Sequence, residues 1–199
     1  MGTRNLTAVK IDGEYKVAQY GQWDGYPSGQ GLTCLHFLRE QMNEEKFKSA
    51  LRKCSYLDTE TMRQILRKYT NSEDGWMTLN EANAIKCDYP ELSRDTGANI
   101  LELIQAKDGI RLQSDLPFAA DSVFCEWAWV IDFDERTFEG YKGFNKEPLT
   151  ENDRFYFLKD YEDNGYHGVK LAAEFPLDDL PTDEEFLKAF NKPQKEEIK

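Results

Sequence analysis

Two runs rich in β-branched and aromatic residues, 6–11 (LTAVKI) and 14–20 (EYKVAQY), are separated only by Asp12-Gly13. An Asp-Gly pair suits the type I′ turn, whose twist matches that of two antiparallel strands, so the chain opens on a β-hairpin. The next eleven residues, 21–31 (GQWDGYPSGQG), hold four glycines and a proline, a composition that favours a loop over a regular element.

Helical periodicity follows. Leu32, Leu35, Leu38 and Met42 recur every three or four residues, and Phe47, Ala50, Leu51 and Cys54 repeat the pattern behind an Asn43 cap. Asp58 opens a third helix carrying Met62, Ile65, Leu66 and Tyr69, and residues 71–75 end it with turn chemistry. Thr78 with Glu81 forms a capping box for a fourth helix, and residues 93–107 predict a fifth, with Ile100, Leu101 and Ile104 inward and Asp108-Gly109 as its stop. Strand patterning then returns. Residues 124–133 alternate Cys125, Trp127, Trp129, Ile131 and Phe133 against Glu126, Ala128, Val130 and Asp132, a strand with one heavily apolar face, which turns at 134–136 into 137–141. Residues 154–161 and 169–175 read as two more strands about Asn164-Gly165, and Thr182 with Glu185 caps a last helix through Phe190. Strands at both ends around a helical middle predict an α+β fold, a mainly antiparallel sheet with the helical region packed on it. The expected organisation is one domain over residues 1–192, with a helical part to 113, an acidic strand-rich part from 114, and a loose tail at 193–199.

With 40% hydrophobic residues the chain has enough apolar side chains for a core without staples. Cys34, Cys54, Cys87 and Cys125 include no C-x-x-C pair and the chain has two histidines, so no metal site or other cofactor is expected. Thr3, Arg4 and Asn5 fall where the apolar part of a signal peptide would begin, and no run reaches the length of a membrane span; the expectation is a reduced, cytoplasmic protein.

Charge is unevenly spread. Residues 1–113 hold 15 Lys/Arg against 16 Asp/Glu, a net of −1, whereas 114–199 hold 10 against 21, a net of −11. Such a field repels duplex DNA and anionic lipid and attracts basic partners. The acidic candidates for a partner-binding patch are Asp160, Glu162, Asp163, Asp178, Asp179, Asp183, Glu184 and Glu185; the same residues also suit solvated surface and helix N-termini.

A second candidate is the glycine-rich loop. Its backbone N–H groups, ahead of a helix, could cradle a phosphate, although Gly31 leads into Leu32-Thr33 and not the Lys-Ser/Thr of a Walker loop. Arg4, Gln22, Trp23, Asp24, Tyr26, Gly29 and Gly31 are its candidate ligand-binding residues. Hairpin register places Arg4 roughly opposite Gly21, near the root of the loop, where an Arg4–Asp24 ion pair could pin the loop or serve a recognition pocket. No catalytic residue stands out: Thr3 would serve as an N-terminal nucleophile only after two cleavages, Cys34 and His36 lie two apart on a helix and do not face each other, and His167 falls in a turn.

The opening GTRNLT followed by YGQWDGYPSGQG resembles a family of uncharacterised proteins common in bacteriophages and prophages. Gly2, Thr3, Arg4, Asp24, Gly25, Tyr26, Pro27, Gly29 and Gly31 carry the likeness, within about the first 40 residues. The resemblance implies a mobile-element origin. Joined to the charge map, it suggests a phage-encoded accessory protein in the host cytoplasm that inhibits a basic host factor, such as an anti-CRISPR docking on the nucleic-acid channel of a defence effector. The alternative is a nucleotide-binding or enzymatic protein with its site at residues 24–31.

Overall fold

The structure, a computed structural model, describes residues 2–70, 77–158 and 165–191. Strands β1 (Asn5–Ile11) and β2 (Glu14–Gly21) form the opening hairpin, and Asp12 and Gly13 both adopt the positive φ, 55° and 79°, that a type I′ turn requires. The turn is held from outside. Both carboxylate oxygens of Asp134 accept N–H bonds, from Asp12 and Gly13 at 2.8 Å each, which ties the first hairpin to the second.

From β2 the chain enters a helical path in which wide π-type turns, Pro27–Gly31 and Phe37–Gln41, flank α1 (Leu32–His36). Then come α2 (Glu44–Lys53), β3 (Ser55–Tyr56), α3 (Thr59–Leu66), α4 (Leu79–Asp88), α5 (Ile100–Lys107) and β4 (Arg111–Leu112). A 3₁₀ turn at Leu116–Ala120 leads to β5 (Trp127–Asp132), β6 (Thr137–Lys142), β7 (Lys170–Pro176) and α6 (Asp183–Phe190). The predicted caps form: Asn43 Oδ1 accepts from Lys46 N–H at 3.0 Å, Asp58 Oδ1 from Thr61 N–H at 2.8 Å, and Thr78/Glu81 and Thr182/Glu185 close as capping boxes.

The main sheet has the order β2-β1-β5-β6-β7, antiparallel except where β1 meets β5 in parallel register, Leu6 opposite Ala128 and Val9 opposite Ile131. Mixed α and β content around a mostly antiparallel sheet is thus the architecture. The 105 or so residues between β2 and β5 return the chain past β1 to its far side. Both sheet faces are covered. Val9, Ile11, Trp129, Ile131 and Phe138 pack under α1, α2, α5 and α6 with Phe37, Phe47, Leu101 and Phe186; Leu6, Ala8, Ala128, Val130 and Tyr141 pack on the other side against Ala119, Phe155 and Val169.

Four expectations change. β5 was expected to have one heavily apolar face, but as a central strand between β1 and β6 it buries both, Ala128, Val130 and Asp132 included. The fifth helix begins at Ile100, after a 3₁₀ turn at Gly97–Asn99, because Gly97 at φ 49° cannot continue a helix backward. Residues 154–158 form turns, not a strand, since Arg154 is drawn onto the sheet by Asp132 and Glu139. The glycine-rich loop is partly regular, its second half being the Pro27–Gly31 turn. The turn at 71–75, residues 159–164 with Asn164, and the 193–199 tail lie outside the described residues.

Candidate functional site

The Gly-Thr-Arg opening and the Asp-Gly-Tyr-Pro loop prove to be one structural unit. Thr3 O accepts from Gly25 N–H at 2.9 Å, and the buried Asn5 amide donates to Gly21 O at 3.2 Å and Trp23 O at 3.3 Å. Trp129, fully buried in β5, donates its indole N–H to Gly25 O at 3.1 Å. Gly31 passes so close to that indole that a Cβ there would lie 2.8 Å from two of its ring carbons.

This close packing engages four of the loop's backbone N–H groups. The N–H groups of Gly25, Gly29, Gln30 and Gly31 all donate to carbonyls of Thr3, Tyr26 or Asp24, which leaves these four committed within the loop and to Thr3. Gln22 accepts from the Tyr20 hydroxyl at 2.7 Å, Trp23 donates its indole N–H to Asp95 at 3.0 Å, and Tyr26 is exposed. Asp24 spends its carbonyl on Gln30 N–H at a φ of 54°.

Arg4 does not join them. The expected Arg4–Asp24 ion pair is absent, and strand parity is the reason. Even-numbered residues of β1, Leu6 and Ala8, face the cluster of Ala128 and Val130, whereas the loop packs on the odd-numbered face beside Trp129. Arg4 follows the even side. Its backbone is clamped to Glu126, its N–H donating to Glu126 Oε1 at 3.3 Å and its carbonyl accepting from Glu126 N–H at 3.2 Å, and its guanidinium carbon stands 4.4 Å from the centre of the Phe124 ring.

There a cleft of ≈ 460 Å³ opens, lined by Arg4, Tyr20, Asp115, Pro117, Phe118 and Phe124, with Ser114 and Asp121 completing its wall. It is built by the segment 114–124 docking on β2. Asp115 N–H donates to Ala18 O at 2.8 Å, and the Asp115 carboxylate accepts from Tyr20 N–H at 3.1 Å and from the Gln113 amide at 2.7 Å. Tyr20 and Phe118 meet edge to face at 5.0 Å, while Phe124 is 45% exposed, an aromatic face open at the mouth.

Two polar features stand out. Arg4 Nε is buried and has no hydrogen-bond partner, and the guanidinium makes no ion pair among the described residues. Burial pushes the Asp115 carboxyl above its usual range, against the opposing bonds from Tyr20 N–H and Gln113. Of these residues only Arg4 was a sequence candidate. Its side could have been read from strand parity; Asp115, Phe118 and Phe124 carry no local signal, because their convergence depends on where a 3₁₀ turn docks.

The acidic candidates behave differently. Asp178 pairs with Arg136, and Asp183 pairs with Arg39 and His36 at 2.8 Å each, contacts that hold both carboxyls below the usual range. Glu185 closes the Thr182 capping box, leaving Asp179 and Glu184 as exposed carboxylates at this edge; Asp160, Glu162 and Asp163 lie outside the described residues. No Cys–His dyad forms: Cys34 is buried, which pushes its thiol up to about 12, and His36 is engaged with Asp183. Thr3 is buried under the loop, away from a nucleophile's position. Among the described residues no cluster of three metal-ligating side chains occurs and no helix is long and apolar enough to cross a membrane. The chain matches no protein-family model, no curated protein and no solved structure, so the site is read from its own geometry.

Proposed function

We propose that this chain binds a small organic ligand in the cleft between Arg4 and Phe118, and that the Asp24 loop is the scaffold for Arg4 and not the binding surface. The observation that carries the reading is Arg4 itself, a guanidinium with a buried, unpartnered Nε, lying on an open aromatic ring at the wall of the cleft. Burying a polar group without a partner costs about 1–3 kcal/mol, and a ligand acceptor removes that cost. The volume falls within the roughly 300–1,000 Å³ of small-molecule sites, and aromatic walls with a few convergent polar groups are their usual lining. A thermal-shift panel of small metabolites on the wild type, Arg4→Gln and Phe124→Ala tests it. Stabilisation of the wild type by at least one compound, lost in both variants, is expected; stabilisation that survives both removes the cleft.

The host-inhibitor reading has one observation of its own: the −11 carried by residues 114–199, with Asp179 and Glu184 exposed. Against a compact acidic patch stands the internal pairing of Asp178 and Asp183. An acidic docking surface would lose a basic partner as salt rises, and Asp179→Lys with Glu184→Lys would slow its association. Capture of a basic protein from nuclease-treated host lysate, insensitive to the cleft variants, would favour this reading.

A further inference from the structure

The cleft holds two opposite charges that its own residues leave unmatched. The guanidinium of Arg4 makes no hydrogen bond or ion pair with any described residue. The Asp115 carboxylate accepts two neutral N–H bonds, from Tyr20 and Gln113, and makes no ion pair with a described cation. Both line the same cleft, yet they do not pair with each other. Their opposite signs decide the ligand class. A simple anion would satisfy Arg4 but meet Asp115; a simple cation would satisfy Asp115 but meet Arg4. A small zwitterion, with both signs close together, completes both.

Resting on the reading that the cleft takes a small molecule, we propose that its ligand is a free α-amino acid with an aromatic or large apolar side chain. The carboxylate would lie against the planar fork of Arg4, which favours two-oxygen acceptors. The ammonium would face Asp115, which makes no ion pair with a described cation. The side chain would cover Phe118, Pro117 and the exposed ring of Phe124. Because Arg4 is stacked on Phe124 and its backbone is fixed on both sides to Glu126, the fork is held in place before the ligand arrives, which reduces the ordering cost of binding.

The test is calorimetric titration of the full chain with L-phenylalanine, with phenethylamine, which lacks the carboxylate, and with 3-phenylpropionate, which lacks the ammonium. L-Phenylalanine is expected to bind at least about tenfold more tightly than either analogue, since each loses a charge-assisted bond. Arg4→Gln should abolish the preference over phenethylamine, and Asp115→Asn the preference over 3-phenylpropionate; should Asp115→Asn fail to fold, the Arg4→Gln comparison still decides. Equal binding of either analogue to the wild type overturns the proposal, as does binding of guanosine with no amino acid bound, which would leave the cleft a small-molecule site for a nucleobase. If neither these compounds nor a broad metabolite panel binds the folded chain, the underlying reading of the cleft fails as well.

Discussion

Arg154 is the side chain whose removal should be felt most. Its guanidinium donates to Glu139 Oε2 at 2.6 Å and Oε1 at 2.5 Å, and to Asp132 Oδ2 at 2.7 Å. The carboxylates it serves are 4% and 0% exposed, and Arg154 itself 14%. Replacing it with Met keeps most of the volume but leaves two buried carboxylates facing each other, with Lys10 at 3.5 Å from Asp132 as the remaining cation. Breaking a buried ionic network from one side costs about 3–5 kcal/mol. The internal control is Arg52, paired with Asp12 at 2.8 Å where both side chains are more than half exposed; solvent screens such surface pairs, so Arg52→Ala should be nearly silent. Acid should narrow the difference. Burial alone would raise the Asp132 carboxyl, but the Glu135 N–H and Arg154 together hold it below the usual range. A depressed carboxyl stabilises the fold above its unfolded pKa, about 3.9, and that contribution is lost as pH falls through the lower folded value. Without Arg154 there is less to lose. Urea unfolding at about pH 7 and about pH 3 measures both effects. If Arg154→Met costs no more than Arg52→Ala at neutral pH, the network is not holding residues 151–158 on the sheet.

Three further outcomes follow from packing and accessibility. Gly31→Ala should destabilise by about 1–3 kcal/mol, because its Cβ would press on the Trp129 ring at 2.8 Å and on Phe186 at 3.1 Å, and the loss should appear as a lowered melting temperature by calorimetry. Asn5→Ala should cost about 1–3 kcal/mol and raise amide exchange at Gly21 to Gly25, since it strips the buried donor that holds Gly21 O and Trp23 O. Of the four free cysteines, only Cys87 is exposed, so a thiol reagent near pH 8 should label one site in the native protein and all four in urea; rapid native labelling of Cys34 would contradict its burial.

How far the sequence could be read depended on the distance over which each feature is decided. The hairpin about Asp12-Gly13 and the caps at Asn43, Asp58, Thr78 and Thr182 are settled within four residues, and all formed. The parallel pairing of β1 with β5, and the two-residue pair of Ser55 and Tyr56 with Arg111 and Leu112, join segments far apart in the chain and leave no periodic trace. Residues 154–158 had strand composition, yet the pull of Asp132 and Glu139 on Arg154 outweighed that propensity. The loop glycines were recognised as special, and at Gly31 the close approach to Trp129 supplies a packing reason. Arg4 was recognised too, but with Asp24 as its expected partner, a pair that does not form. The cleft needed the docking of Asp115, Phe118 and Phe124 beside β2, which no local pattern encodes.

The most direct measurement of the central claim is the side-chain Nε–H resonance of Arg4 in the folded protein, followed by NMR during a titration with L-phenylalanine. Without ligand this proton has no acceptor in the described structure. On binding it should move downfield saturably and gain protection from exchange, together with the amides of Asp115 and Phe124, while the amides of Gly25 to Gly31 stay in place. Saturable shifts confined to the Gly25 to Gly31 amides, with Arg4 Nε–H unmoved, would contradict the account and return the site to the loop.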